Sequence, residues 1–219
     1  MPSIHALRHA LAQAVARFHA EGVRGVWFRA LSKLGYRRLI LVARPLEEPI
    51  PDVEPRIPLA IDLLQRSEVA EYLEFRPDTA AAEVEARLEG GQLCFVARHE
   101  GRIVSARWAA VGRAWIDYLS CQMPMAADEV CPYDQFTRVR YRGQDAAPAT
   151  TVAMLRHLRE AGYRRTVGTI LPGNEASVRA SAKTGYRPIG RIGYVAVGSW
   201  RRYFCAIDGA VAPVRRQRA

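Results

Sequence analysis

Apolar and polar positions alternate along this chain in two different periods, and the change of period divides it. Residues 4 to 20 place Ile4, Leu7, Leu11, Ala14, Val15 and Phe18 at helical spacing, and Val26, Trp27, Ala30, Leu31 and Leu34 repeat the pattern up to Gly35, predicting two helices. "YRRLILVARPL" then reads as a strand, and the proline-rich "EEPIPDVEPRIP" as a connector that neither a helix nor a central strand accommodates. The boundary of an N-terminal extension, residues 1–55, falls here.

Beyond it, "RIPLAIDLL" predicts a strand, "RSEVAEYLEF" a short helix, and "DTAAAEVEARLEGG" a helix opened by an Asp/Thr cap and closed by glycine. "QLCFVARHEGRIVSARWAA" alternates on both sides of a His-Glu-Gly-Arg turn and predicts a hairpin. "AWIDYLSC" and "EVCPYDQFTRV" predict two further strands. After them, Pro148 suits a first helical turn, and Val152, Leu155 and Leu158 form an apolar stripe ending at Gly162. "RRTVGTIL" predicts a strand, "NEASVRASAKTGY" a helix capped by Asn174 and ended near Gly185, and "RIGYVAVGSWRRYFC" closing strands. The order predicts an α+β (mixed α/β) fold, a twisted mixed sheet with helices on both faces, preceded by the helical extension; residues 56–205 form the main domain and 206–219 a basic tail.

Composition changes this picture at one point. The chain has 219 residues, 49% hydrophobic and 25% charged, as in ordinary globular domains, but a net charge of +10. Residues 1–44 hold eight basic side chains against Glu21 alone, and the stretch from 201 adds five arginines against Asp208. Such a surface favours anionic partners: nucleic acid, anionic lipid, a phosphorylated cofactor or an acidic carrier protein. An arginine-rich genome gives the same number with no partner. The N-terminal stretch lacks a continuous apolar segment, the densest apolar run is five residues, and Cys94, Cys121, Cys131 and Cys205 stand apart with no metal-ligand spacing. A reduced cytoplasmic protein without structural zinc is expected.

Candidate chemistry centres on "RYRGQDAAPATTVAML". Arg142 and Gly143 precede small residues and a helix, and a turn whose backbone amides point inward ahead of a helix N-terminus binds a pyrophosphate. Asp145 in its middle is out of place: a carboxylate there opposes phosphate unless it turns outward, toward Arg140 or Arg142.

"YDQFTRVRYRG", "RGQDAA" and "NEASVRASAKTGY", with their spacing, resemble the GCN5-related N-acetyltransferase (GNAT) superfamily over roughly residues 56 to 200. The resemblance implies acyl transfer from acetyl-CoA or another acyl-CoA, without metal, to a small-molecule amine. It implies donor contacts at Gln135, Phe136, Thr137, Arg142, Gly143, Gln144, Asp145, Ala146, Ala147 and Asn174, the pantetheine arm lying between "DQFTR" and "TVGTIL". Asp145 departs from the usual glycine, and Ser181 stands where the family often places a tyrosine that protonates the leaving thiolate. Asp134 is the expected base, with an arginine ion pair as its alternative role; Asp117 and Glu129 are reserves. Tyr186 is expected to pack, Arg138 and Arg140 to meet the 3′-phosphate or solvent, and Trp108, Trp115, Tyr118 and Phe136 to line an apolar slot. An acidic acyl-carrier protein is the alternative donor. A non-catalytic module of the same fold that binds an anionic partner, either a membrane surface through its basic first helix or nucleic acid through charge alone, is the alternative function; no specific nucleic acid is expected.

Overall fold

The computed structural model describes residues 35–123, 125–207 and 210–211. The two predicted N-terminal helices and most of the basic tail lie outside the described residues. Nine strands form one sheet in the order β11-β10-β9-β1-β8-β7-β4-β3-β2. They are β1 (Tyr36–Pro45), β2 (Ala60–Leu63), β3 (Leu93–His99), β4 (Arg102–Val111), β7 (Glu129–Thr137), β8 (Arg165–Ile170), β9 (Arg187–Val197), β10 (Trp200–Ile207) and β11 (Ala210–Val211). All neighbours pair antiparallel except β7 and β8. The helices are α1 (Val69–Phe75), α2 (Ala81–Glu89), α3 (Ala146–Glu160) and α4 (Glu175–Lys183). None among the described residues is long and apolar enough to cross a membrane.

Alternation along β3 and β4 explains the two-faced packing. Cys94 and Val96 of β3, with Ile103, Ala106 and Trp108 of β4, pack under α1 and α2, alongside Tyr72, Phe75 and Val84. Residues one step out of phase, Phe95 and Ala109, meet Met154, Leu155 and Leu158 of α3 on the other face. The predicted stripe of α3 is thus buried, and Gly162 (φ +86°) follows its end. The β3–β4 turn is the predicted one: Glu100 and Gly101 both take positive φ between paired His99 and Arg102, as a two-residue turn matched to strand twist requires.

Three expectations are corrected. The strand "YRRLILVARPL", placed with the extension, lies in the sheet between β8 and β9: Leu39, Leu41 and Ala43 face one core and Val42 the other, so both faces are covered and no edge position suits it. "AWIDYLSC" is not one strand. It turns at Asp117–Ser120, where Ser120 takes φ +50°, into a separate ribbon of β5 (Trp115–Ile116) and β6 (Cys121–Gln122). Finally, α2 is preceded by Ala80, which supplies no side-chain cap; Asp78 instead accepts from Arg76 Nε at 3.2 Å.

Candidate active site

The site begins where two parallel strands stop pairing. β7 and β8 match only at Glu129–Arg165 and Val130–Thr166. Arg165 Nε holds the buried Glu129 carboxylate at 2.6 Å, and the other oxygen of that carboxylate accepts the Ala126 amide at 2.8 Å. Glu129, a reserve base, is therefore a structural anchor. Beyond it β7 follows β4 and β8 follows β1, leaving the edge of β7 from Cys131 onward without a strand partner among the described residues. A cavity of about 540 Å³ lies over the gap, bordered by Cys131, Tyr133 and Asp134 of β7, by Thr169 and Ile170 of β8, and by Asn174 and Ser177 of α4.

On the β4 side the ladder slips. Ala106 pairs with Phe136 but Trp108 with Tyr133, so Asp134 and Gln135 together oppose Arg107. This is a β-bulge, and Asp134 takes φ +44° within it. Two arginines hold that non-glycine residue in place: Asp134 Oδ1 accepts from Arg76 at 3.0 Å and Oδ2 from Arg87 at 2.8 Å. Burial works against the charge of both guanidiniums, but the bonds to Asp78 and Asp134 raise Arg76, and those to Asp134 raise Arg87. Arg87 also stacks over Trp108 and Tyr133, and Arg76 over Phe136. Both carboxylate oxygens are thus taken up by guanidiniums, and Asp134 has its alternative role as an ion pair. Neither arginine stood out in the sequence, because one follows the last residue of α1 and the other lies in α2, 58 and 47 residues away.

The turn lies at the open end of β7. Gly143 has φ +76°, Asp145 is left-handed at φ +58°, ψ +18°, and α3 begins at Ala146. Among the described residues the amides of Gly143, Gln144, Asp145, Ala146 and Ala147 donate to no protein group, whereas the Ala149 amide closes the first helical turn on the Asp145 carbonyl at 3.0 Å. Pro148, third in the helix, removes an amide that has no intrahelical partner in any case. The Asp145 carboxylate turns away from these amides: Oδ1 meets Lys183 at 2.5 Å, and Oδ2 lies 3.9 Å from Arg56. Arg142 is exposed and donates back to the Thr137 carbonyl at 3.3 Å. Arg138 donates to the Glu74 carbonyl at 3.1 Å and Arg140 lies over the Tyr141 ring.

Asn174 caps α4 as expected, accepting the Ser177 amide at 3.1 Å. Ser177, in that first turn, borders the cavity; Ser181, a turn further on, does not. Tyr186 packs, its hydroxyl accepting from Thr166 at 2.8 Å in the buried core. Of the expected apolar slot, Trp115 and Tyr118 border the cavity, Trp108 is fully buried with its Nε1 donating to Tyr72 at 2.8 Å, and Phe136 stacks edge-on to Phe75. Burial pushes the Tyr133 hydroxyl up, and it donates to Gln92. Asp117 also borders the cavity; among the described residues its carboxylate makes no ion pair. No cluster of three potential metal ligands occurs among the described residues.

No protein-family model matches the chain, and no curated protein matches it. Solved structures do. A GCN5-related N-acetyltransferase from Sphaerobacter thermophilus superposes with a TM-score of 0.54 at 15% identity, over 74% of this chain and 53% of that one. The GCN5-related glucosamine N-acetyltransferase region of a fungal multi-domain GH3 β-N-acetylglucosaminidase gives 0.55 at 13%, over 75% and 22%. The aminoglycoside N-acetyltransferase AAC(6′)-Iy, solved with CoA, gives 0.50 at 16%, over 65% and 98%. The chain thus spans about half of the first structure and a fifth of the second. Likeness at such low identity is one of architecture, and by architecture this chain has the fold of the GCN5-related N-acetyltransferase superfamily.

Proposed function

We propose that the protein is an acyltransferase that moves an acyl group from the thioester of coenzyme A to an amine. The observation that carries this reading is the conjunction of the β7–β8 divergence with the row of amides at residues 143–147 that have no partner among the described residues. Five amides and the positive end of a 15-residue helix offer a diphosphate its hydrogen bonds and a favourable field. The pantetheine arm then runs as an extra strand along the free edge of β7 at Gln135 to Thr137, bringing the thioester to the bulge. With Asp145 paired to Lys183, the turn gives no reason to prefer a carrier-protein donor that lacks the diphosphate.

The acceptor approaches through the cavity. Its nitrogen attacks the thioester carbonyl, charge on the tetrahedral oxygen is met by a β7 amide, and the carbon–sulfur bond breaks to release the thiolate, which solvent protonates. Asp117 is positioned to hold the incoming amine and accept its proton, since the other carboxylates bordering the cavity, Asp78, Glu83 and Asp134, are each paired with Arg76 or Arg87. Trp115 and Tyr118 give the acceptor an apolar wall.

Calorimetric titration with coenzyme A, followed by thiol release from acetyl-CoA in the presence of a panel of amines, tests the reading. Binding and amine-dependent thiol release are expected. No binding at about 1 mM ligand, weaker than roughly 4 kcal/mol, sinks it.

A further inference from the structure

The donor half of the proposed site contains a cation that has no counter-charge among the described residues. Arg107, on β4 opposite the bulge, points to the α3 face, where its Nη1 donates to Thr151 Oγ1 at 2.7 Å and to Gln135 Oε1 at 3.2 Å. Both acceptors are neutral. Its Nε is enclosed with no acceptor, Nη2 has none among the described residues, and no carboxylate lies within ion-pair distance there. The guanidinium packs 5.8 Å from the Tyr186 ring centroid. Burial pushes its pKa down, with the Tyr186 hydroxyl and Cys131 thiol acting the other way, yet a guanidinium stays charged in proteins. A half-buried guanidinium with an enclosed Nε and only neutral acceptors is therefore present in the ligand-free fold.

The surroundings connect this cation to the proposed donor groove. Gln135 lies on the stretch of β7 along which the pantetheine arm is proposed to run, and its Nε2 also donates to Ser105 Oγ and the Ala106 carbonyl, both at 3.2 Å. Ser105 Oγ in turn lies 2.9 Å from Thr137 Oγ1. On the helix side, Thr151 Oγ1 donates to the carbonyl of Ala147 at 2.9 Å, a residue of the amide-lined turn. A polar strip thus runs from the turn, through Arg107, to the gap between the strands. Other arginines with an enclosed, unsatisfied Nε reach charged or carbonyl acceptors: Arg44 meets Glu48 and the Pro49 carbonyl, Arg37 the Tyr118 carbonyl and Arg138 the Glu74 carbonyl.

We propose that Arg107 is a donor-binding residue whose missing counter-charge is an anionic oxygen of the acyl donor, either a phosphate of coenzyme A or a carboxylate at the end of a dicarboxylic acyl group. This inference rests on the proposed acyl-CoA reading. Hydrogen bonds link Arg107 to Ala147 of the turn through Thr151 and to β7 through Gln135, so either oxygen is a candidate, and the ligand chemistry distinguishes them.

The test compares the intact protein with Arg107→Gln and Arg107→Lys by calorimetric titration with coenzyme A, acetyl-CoA, succinyl-CoA and pantetheine, with thermal unfolding run beside each. If the counter-charge is a phosphate, Arg107→Gln binds coenzyme A and acetyl-CoA at least tenfold more weakly while pantetheine binding is unchanged, and Arg107→Lys recovers part of the loss. If it is an acyl carboxylate, only succinyl-CoA loses affinity. Equal affinities of wild type and Arg107→Gln for coenzyme A, acetyl-CoA and succinyl-CoA overturn the proposal, because an arginine with a purely structural role moves the unfolding temperature alone. A wild type that binds none of them overturns instead the functional reading on which this inference rests.

Discussion

Asp145 Oδ1 lies 2.5 Å from the Lys183 ammonium, so the turn before α3 is tied to the last turn of α4, and its carboxylate makes no bond to the amides it precedes. The pair is partly exposed and worth only about 0.2–1 kcal/mol, while glycine suits the left-handed backbone at Asp145 at least as well as aspartate. Asp145→Gly is expected to change stability little and coenzyme A affinity less than about threefold. Lys183→Ala, which leaves the carboxylate unbalanced beside the phosphates, weakens binding by about threefold or more at low salt. The double variant returns to the Asp145→Gly value; titrations of the four proteins check this, and a double variant as weak as Lys183→Ala would show that Lys183 touches the donor itself.

The Asp134 clamp gives a stability prediction that separates backbone from charge. Asp134→Ala loses both arginine bonds and keeps a Cβ at φ +44°. Asp134→Gly loses the same bonds but relieves the backbone, and should be the more stable of the two by about 1 kcal/mol. Both fall below wild type by roughly 1–3 kcal/mol, between exposed and buried pairs. Urea unfolding of the three proteins decides it.

Asp117 is proposed for the role first expected of Asp134. Asp117→Asn should lower kcat by about a hundredfold, the low end for a lost general base, with donor affinity unchanged and partial recovery at high pH, where free amine is more abundant. A variant with wild-type kcat across the pH range would remove Asp117 from the chemistry.

Because β1 is interior to the sheet, truncation through residue 45 is expected to give insoluble protein, since β8 and β9 then lose their shared neighbour. A milder probe is Gly193→Ala. A Cβ at Gly193 falls 2.2 Å from the Arg37 carbonyl of β1, and forcing the strands apart costs about 1–3 kcal/mol. Thermal unfolding of Gly193→Ala near that of wild type would contradict the central placing of β1.

Burial lifts the Cys121 thiol from 9.0 to about 11, the Cys131 thiol from 9.0 to about 12 and the Tyr72 hydroxyl from 10.0 to about 12. In each case the folded state keeps its proton while the unfolded chain loses it. The stabilisation is complete below about pH 9 and declines as pH rises through 11 to 12, so unfolding releases protons in that window. Denaturant midpoints measured between pH 8 and 11 should fall with pH, and less steeply in Cys131→Ser once its lower starting stability is subtracted.

Periodicity and turn chemistry are local, which is why the sequence alone predicted the helix stripe at Val152, Leu155 and Leu158, the two-residue turn at Glu100 and Gly101, and the cap at Asn174. The turn at Gly143 to Ala147 was legible for the same reason, since positive φ, small side chains and a following helix are all neighbours in the chain. The rest depended on contacts between distant segments. Nothing local told that the strand at residues 36–45 would pass between two strands from the C-terminal half, that Asp134 would be taken by Arg76 and Arg87, or that Asp145 would find Lys183. Charge pairing acts through space, and each of these carboxylates had several arginines nearer in sequence than the partner that holds it. Tertiary structure made the choice: it paired Asp134 with two arginines, left the Asp117 carboxylate without an ion pair among the described residues, and gave Arg107 only neutral acceptors there.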